Sequence, residues 1–149
     1  MRMISILRTA MELTKINEKA AQLGCPEDAE LHVVLVDAQA VRELNRTYLG
    51  RNGDTDVIAF PLFDADEPLP GPPVFGEIYV CLDVARRAAR RCETSVAYET
   101  VLYAVHGMLH LCGLDDRTPA QKRSMAEHER KILAEIREKI GIDGIFDLS

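Results

Sequence analysis

No apolar run in this chain approaches the ~20 residues a helix needs to cross a bilayer, which excludes a membrane-spanning helix. The first stretch, Met1 to Leu23, carries charges throughout and lacks the layout of a secretory leader, so a cytoplasmic protein is expected. Cys25, Cys81, Cys92 and Cys112 show no C-x-x-C spacing, which removes the common dithiol and zinc-ribbon patterns. They read as buried or free thiols in a reducing compartment. Positive charge is also short. Lys and Arg number 18 against 24 Asp and Glu, a net charge of −6, and a broad basic footprint for nucleic acid is therefore absent. There is no internal repeat and no composition shift marking a linker, so one domain over residues 1–149 is expected.

What is present is globular: 47% apolar and 28% charged residues, enough to bury a core. Ile4, Leu7, Met11, Ile16, Ala20 and Leu23 suggest one helical stripe, stopped by Gly24 and Pro26. Leu31 to Val36 reads as a strand. Asp37 can cap a helix carrying Val41, Leu44 and Tyr48, ended by Gly50. Val57 to Phe60 reads as a second strand and Ile78 to Leu82 as a third, with a mobile proline-rich surface loop from Asp64 to Val74. Asp83 and Ser95 are expected to cap two further helices. Thr118-Pro119-Ala120-Gln121 opens a last one with a capping box, its apolar stripe running through Met125, Ile132, Ile136 and Ile140 to Gly141. Short strands mixed with helices, without strict alternation, predict an α+β fold: a small mixed sheet with helices packed on it.

Chemistry concentrates in His106-Gly107-Met108-Leu109-His110-Leu111-Cys112-Gly113-Leu114-Asp115-Asp116. Histidines four apart share a helix face, with Cβ atoms about 5–6 Å apart. Gly113 can take the left-handed conformation that ends a helix and turn the chain back. Either Asp116 or Asp115 is then placed to join the two imidazoles on a metal, leaving positions open for water or substrate. The spacing matches metzincin-type hydrolases. However, Gly107 occupies the position of their general-base Glu, which argues against a metallopeptidase. Cys112 reads as a packing residue. Arg86, Arg87, Arg90 and Arg91 fall on one helix as a four-arginine surface, either a solvated face or a phosphate-contacting patch.

The segment from His106 resembles the signature H-G-x-L-H-L-x-G-x-D-H of the YbeY family. Further blocks follow in the family's order. Leu44-Asn45, Tyr48 and Thr55-Asp56-Val57-Ile58-Ala59-Phe60-Pro61 resemble its LN…Y…TDVLSFP block, Gly76-Glu77-Ile78 its G-D-I strand, and Met125 with Glu129 its M…E helix. The resemblance implies a single-domain α+β fold, one zinc-like ion (Zn2+ or another divalent metal), and a single-strand-specific endoribonuclease of ribosomal RNA maturation and ribosome quality control. RNA and the ribosome, or its small subunit, are the implied partners.

In that register His106, His110 and Asp116 are the expected ligands, and Asp115 matches an acid beside the metal. Asn45, Thr55 and Asp56 are expected to shape the cleft. Three positions depart from the pattern. Asp116 stands where the family has His, Leu49 where it has an Arg after the Tyr, and Ala59 where it has Ser. Arg51, two residues on, is the candidate replacement for that Arg. Arg51 and His110 are the expected catalytic residues, and Arg86, Arg87, Arg90 and Arg91 the expected RNA contacts. The alternative is a ribosome-assembly binding factor with a structural or vestigial metal.

Overall fold

The computed structural model describes residues 2–67 and 70–142. Its elements are α1 (Arg2–Thr14), α2 (Ile16–Gln22), β1 (Glu30–Val36), α3 (Ala38–Leu49), β2 (Val57–Pro61), β3 (Val74–Cys81), α4 (Leu82–Cys92), α5 (Val96–Leu111) and α6 (Pro119–Lys139). Among the described residues the three strands form one mixed sheet in the order β1-β3-β2, with β1 parallel and β2 antiparallel to β3. This is the expected α+β architecture. No described helix is long and apolar enough to cross a membrane.

The expected first helix is in fact two. Lys15 takes a left-handed conformation (φ 60°) between α1 and α2. Ile4 and Leu23 of the expected stripe are exposed at 52% and 48%; the buried face of α1 runs through Ile6, Ala10 and Thr14, and its next step would fall at residue 17 or 18, not at Ile16. A continuous helix would swing Ile16 off the core face. Breaking at Lys15, at a cost of roughly 1 kcal/mol for a non-glycine residue, leaves Ile16 only 1% exposed.

The expected third strand is longer at its start. It begins at Val74, inside the stretch read as loop, because residues 74–81 pair with β1 on one side and from Gly76 with β2 on the other. Leu82 belongs to α4 rather than to the strand. Pro68, part of the expected loop, lies outside the described residues.

Asp83 is not the cap of α4; that position is Cys81, which makes no side-chain cap bond. Instead the Asp83 carboxylate accepts the Ala38 backbone N–H at 2.7 Å, tying the start of α4 to the start of α3. Asp37 caps α3 as expected, accepting from the Ala40 N–H at 2.8 Å.

α5 is apolar nearly all round, which suits a central helix. Its Val101, Val105, Met108 and Leu109 are buried in one core with Ile78 and Val80 of β3, Ile6 of α1 and Leu133 and Ile136 of α6. A smaller cluster of Val41, Ile58 and Cys81 joins α3 to the sheet.

Candidate metal centre and cleft

Ser95 accepts the Tyr98 N–H at 3.0 Å and starts α5, which delivers both histidines near its far end. The helix closes in a Schellman turn: Leu114 N–H donates to Leu109 O at 3.1 Å and Gly113 N–H to His110 O at 2.9 Å. Gly113 holds φ +98°, a conformation glycine adopts without strain. The chain then reverses and lays Asp116 back over the histidines.

His106 Nε2 and His110 Nε2 face each other at 2.9 Å. Asp116 Oδ2 lies 3.4 Å from the first and 3.5 Å from the second. These three donor groups lie within 4.8 Å of one another. Two imidazole nitrogens and one carboxylate oxygen converging on a single point suit one divalent transition metal and leave further positions open. Asp115, the other candidate ligand, is outside this cluster and lies 3.5 Å from Arg117 Nε. Cys112 turns the other way, its thiol donating to Thr14 O at 3.5 Å.

Glu129 of α6 completes the surroundings: its Oε1 lies 3.3 Å from His106 Nδ1. A carboxylate on Nδ1 fixes the ring and leaves Nε2 to a metal. Burial disfavours a charged His106, but its hydrogen bond to Glu129 and the charges of Glu129, Asp56 and Asp116 outweigh it. The His106 pKa is held above the ordinary histidine value. The resemblance places Glu129 on the last helix but assigns it no contact with His106. The signal was there: Met125, Glu129, Ile132 and Ile136 are spaced four, three and four apart, so Glu129 is an acid inside an apolar stripe.

The centre opens into a cleft of ≈ 600 Å³. Leu49, Arg51, Thr55 and Asp56 line it. Arg117 and Lys122, which sequence reasoning passed over, line it too. Asp56 caps its own strand, Oδ1 accepting the Val57 N–H at 2.8 Å. Asn45 is buried and pins the following turn, its Nδ2 donating to Gly53 O at 3.1 Å. It therefore holds the segment carrying Arg51 rather than lining the cleft. Gly107 is there because α5 sits directly on β3. A Cβ at this position would come within 2.7 Å of Ile78 Cγ2, so no general base fits here.

The four arginines of α4 differ in what they touch. Arg86 pairs with Asp83 at 3.2 Å. Arg87 reaches Asp54 at 2.9 Å, and Arg42 of α3 binds the same carboxylate at 2.8 Å. Arg87 and Arg91 line a second depression that shares Thr55 and Asp56 with the metal cleft. Arg90 is exposed.

A family model described as Endoribonuclease YbeY matches residues 3–137. Relatives of the same description are found in Staphylococcus aureus (strain JH9), 42% identical over 113 residues and covering 72% of each chain. Another occurs in Anaeromyxobacter sp. (strain Fw109-5), 40% identical over 105 residues, 70% of this chain and 53% of that one. In Myxococcus xanthus the match is 39% over 106 residues, 71% of this chain but only 36% of the relative. The chain thus spans about a third to a half of the two myxobacterial relatives. The solution structure of TM1509 from Thermotoga maritima superposes with a TM-score of 0.59 at 27% identity, covering 93% of this chain and 83% of that one. A match running from the first helix through the metal centre into α6 leaves one reading of the lineage: this chain belongs to the YbeY family.

Proposed function

We propose that this chain is a metal-dependent endoribonuclease that cuts single-stranded RNA in ribosomal RNA maturation and ribosome quality control. It would work in the cytoplasm on the ribosome or its small subunit, with Zn2+ as its ion. The observation that carries this reading is the His106–His110–Asp116 cluster at the floor of a cleft that Arg51 also lines. Cation and metal site together suit a phosphodiester.

When bound, a divalent ion supplies Lewis-acid chemistry, polarising a phosphate oxygen and making a water more acidic. His106, His110 and Asp116 would hold it. Glu129 keeps His106 Nε2 turned toward the cluster. Arg51 neutralises charge on the phosphate as it develops in the transition state. Asn45 fixes the turn from which Arg51 projects. Thr55 and Asp56 shape the wall next to β2, and Arg87 and Arg91 extend the path along the neighbouring depression.

The test is cleavage of single-stranded RNA by the purified chain, with and without a chelator, beside His110→Ala. Chelator-sensitive cutting, lost in the variant, is the expected result. Cleavage that survives both treatments would overturn it. Leu49 in the position of the family's Arg favours a second reading, a ribosome-assembly binding factor with a structural metal. Intact binding to ribosomal subunits without cleavage by any form would select it.

A further inference from the structure

α6 turns one face toward the His106–His110–Asp116 cluster and its cleft. Glu129 reaches His106. Lys122 lies seven residues earlier, two turns toward the helix start or ~10 Å along the axis, and that spacing returns its side chain to the same face. Lys122 lines the cleft together with His106, His110 and Asp116. Its ammonium group has no ion-pair partner among the described residues. No acid occupies the first turn of α6 to balance it. A cation at this positive end of a helix is unfavourable for the helix itself, so helix formation does not account for it.

The charges of the cleft point to an occupant. Arg51, Arg117 and Lys122 line it against Asp56, Asp115 and Asp116. Asp116 belongs to the metal cluster and Asp115 lies beside Arg117. A divalent ion on the cluster therefore makes the cleft net positive, on a chain whose net charge is −6. Arg51 enters from the turn between α3 and β2, and Lys122 from α6, so the metal centre has a cation on each of two separate segments. A single phosphate needs one such partner; a polyanionic strand can use both.

We infer that Lys122 binds a backbone phosphate of the RNA, flanking the one held at the metal centre, and so sets the register of the strand in the cleft. This rests on the endoribonuclease reading above. The experiment is binding of the metal-loaded protein to a short single-stranded RNA across a salt series, beside steady-state cleavage. Lys122→Ala should lower the log–log salt slope by about 0.7, the value for one phosphate contact on a single strand. Carried over one decade of salt, that is an affinity about fivefold lower at ~0.1 M than wild type. KM should rise with kcat largely kept, as for lost uniform binding. Lys122→Arg should restore the slope. Lys139→Ala, on the same helix but paired with Glu135, should not change it. Metal content should match wild type throughout, and the melting temperature of Lys122→Ala should equal or slightly exceed it, since a cation is lost from the start of α6. A wild-type slope in Lys122→Ala, in a protein that cleaves RNA, would overturn this inference alone. A wild type that neither binds nor cleaves RNA would overturn it together with the reading beneath it.

Discussion

Glu129 Oε1 and His106 Nδ1 meet at 3.3 Å across the interface of α5 and α6. The contact joins two helices and orients one ring of the metal centre. Glu129→Gln keeps the shape but gives up the negative charge that makes the imidazole a better donor. Zinc affinity should fall about 10–100-fold, with the fold unchanged. Chelator competition checks this; unaltered affinity would reduce Glu129 to a packing residue.

Asp116 and Asp115 should separate cleanly. Asp116 Oδ2 lies near both Nε2 atoms, whereas Asp115 lies near Arg117. Asp116→Ala should lose metal and Asp115→Ala should keep it. Asp116→His should bind zinc more tightly than wild type, because imidazole is a softer donor than carboxylate. Equal metal content in the two alanine variants would remove Asp116 from the ligand set.

pH acts on the same ring with opposite signs in the two forms. The folded metal-free state holds His106 above its ordinary pKa of 6.5. That raised value contributes stability fully present below the unfolded pKa and lost as pH rises through the folded one. A metal needs the neutral ring, so its affinity should climb over the same range. Melting curves of both forms between about pH 5.5 and 8.5 should show metal-free protein losing stability while the shift caused by zinc grows. A shift independent of pH would contradict the ligand role of His106.

Gly107 should not tolerate a side chain. Its added Cβ would stand 2.7 Å from Ile78 Cγ2, on a residue that is fully buried. Overpacking of this kind costs about 1–3 kcal/mol, partly offset by the ~1 kcal/mol that Ala gains over Gly in a helix. Gly107→Ala should lower the melting temperature. Ile78→Ala, costly alone, should make the second change nearly free. Additive effects in the double mutant would deny the contact.

Arg91 should matter to RNA binding more than Arg86. Arg86 is engaged by Asp83, while Arg91 lines the depression adjoining the cleft. Arg91→Ala should reduce the salt slope by about 0.7 and Arg86→Ala should leave it nearly unchanged. The reverse ranking would place the RNA path on the other side of α4.

Features legible in the sequence are those built from neighbours along the chain. Asp37, Ser95 and the Thr118 capping box act within three residues, and the Gly113 turn within five. The histidine pair and Asp116 belong to the same short span. Misreadings came where distant segments decide. Asp83 serves Ala38, 45 residues away. Val74 becomes strand because β1 lies beside it. Lys122 reaches the cleft only because α6 packs along α5. The split at Lys15 was the exception: exposed Ile4 and Leu23 extend the apparent stripe, while the buried face of α1 runs through Ile6, Ala10 and Thr14.

Gly113 has a consequence beyond geometry. Its turn folds the chain back at once, so three candidate metal donors converge from within residues 106–116. An unfolded chain keeps them about as close as a short peptide does, since closing so small a loop costs little entropy. If the cluster binds an ion as proposed, the denatured ensemble should retain part of that affinity. Metal added to this protein should protect it from heat less than its affinity for the native state would suggest.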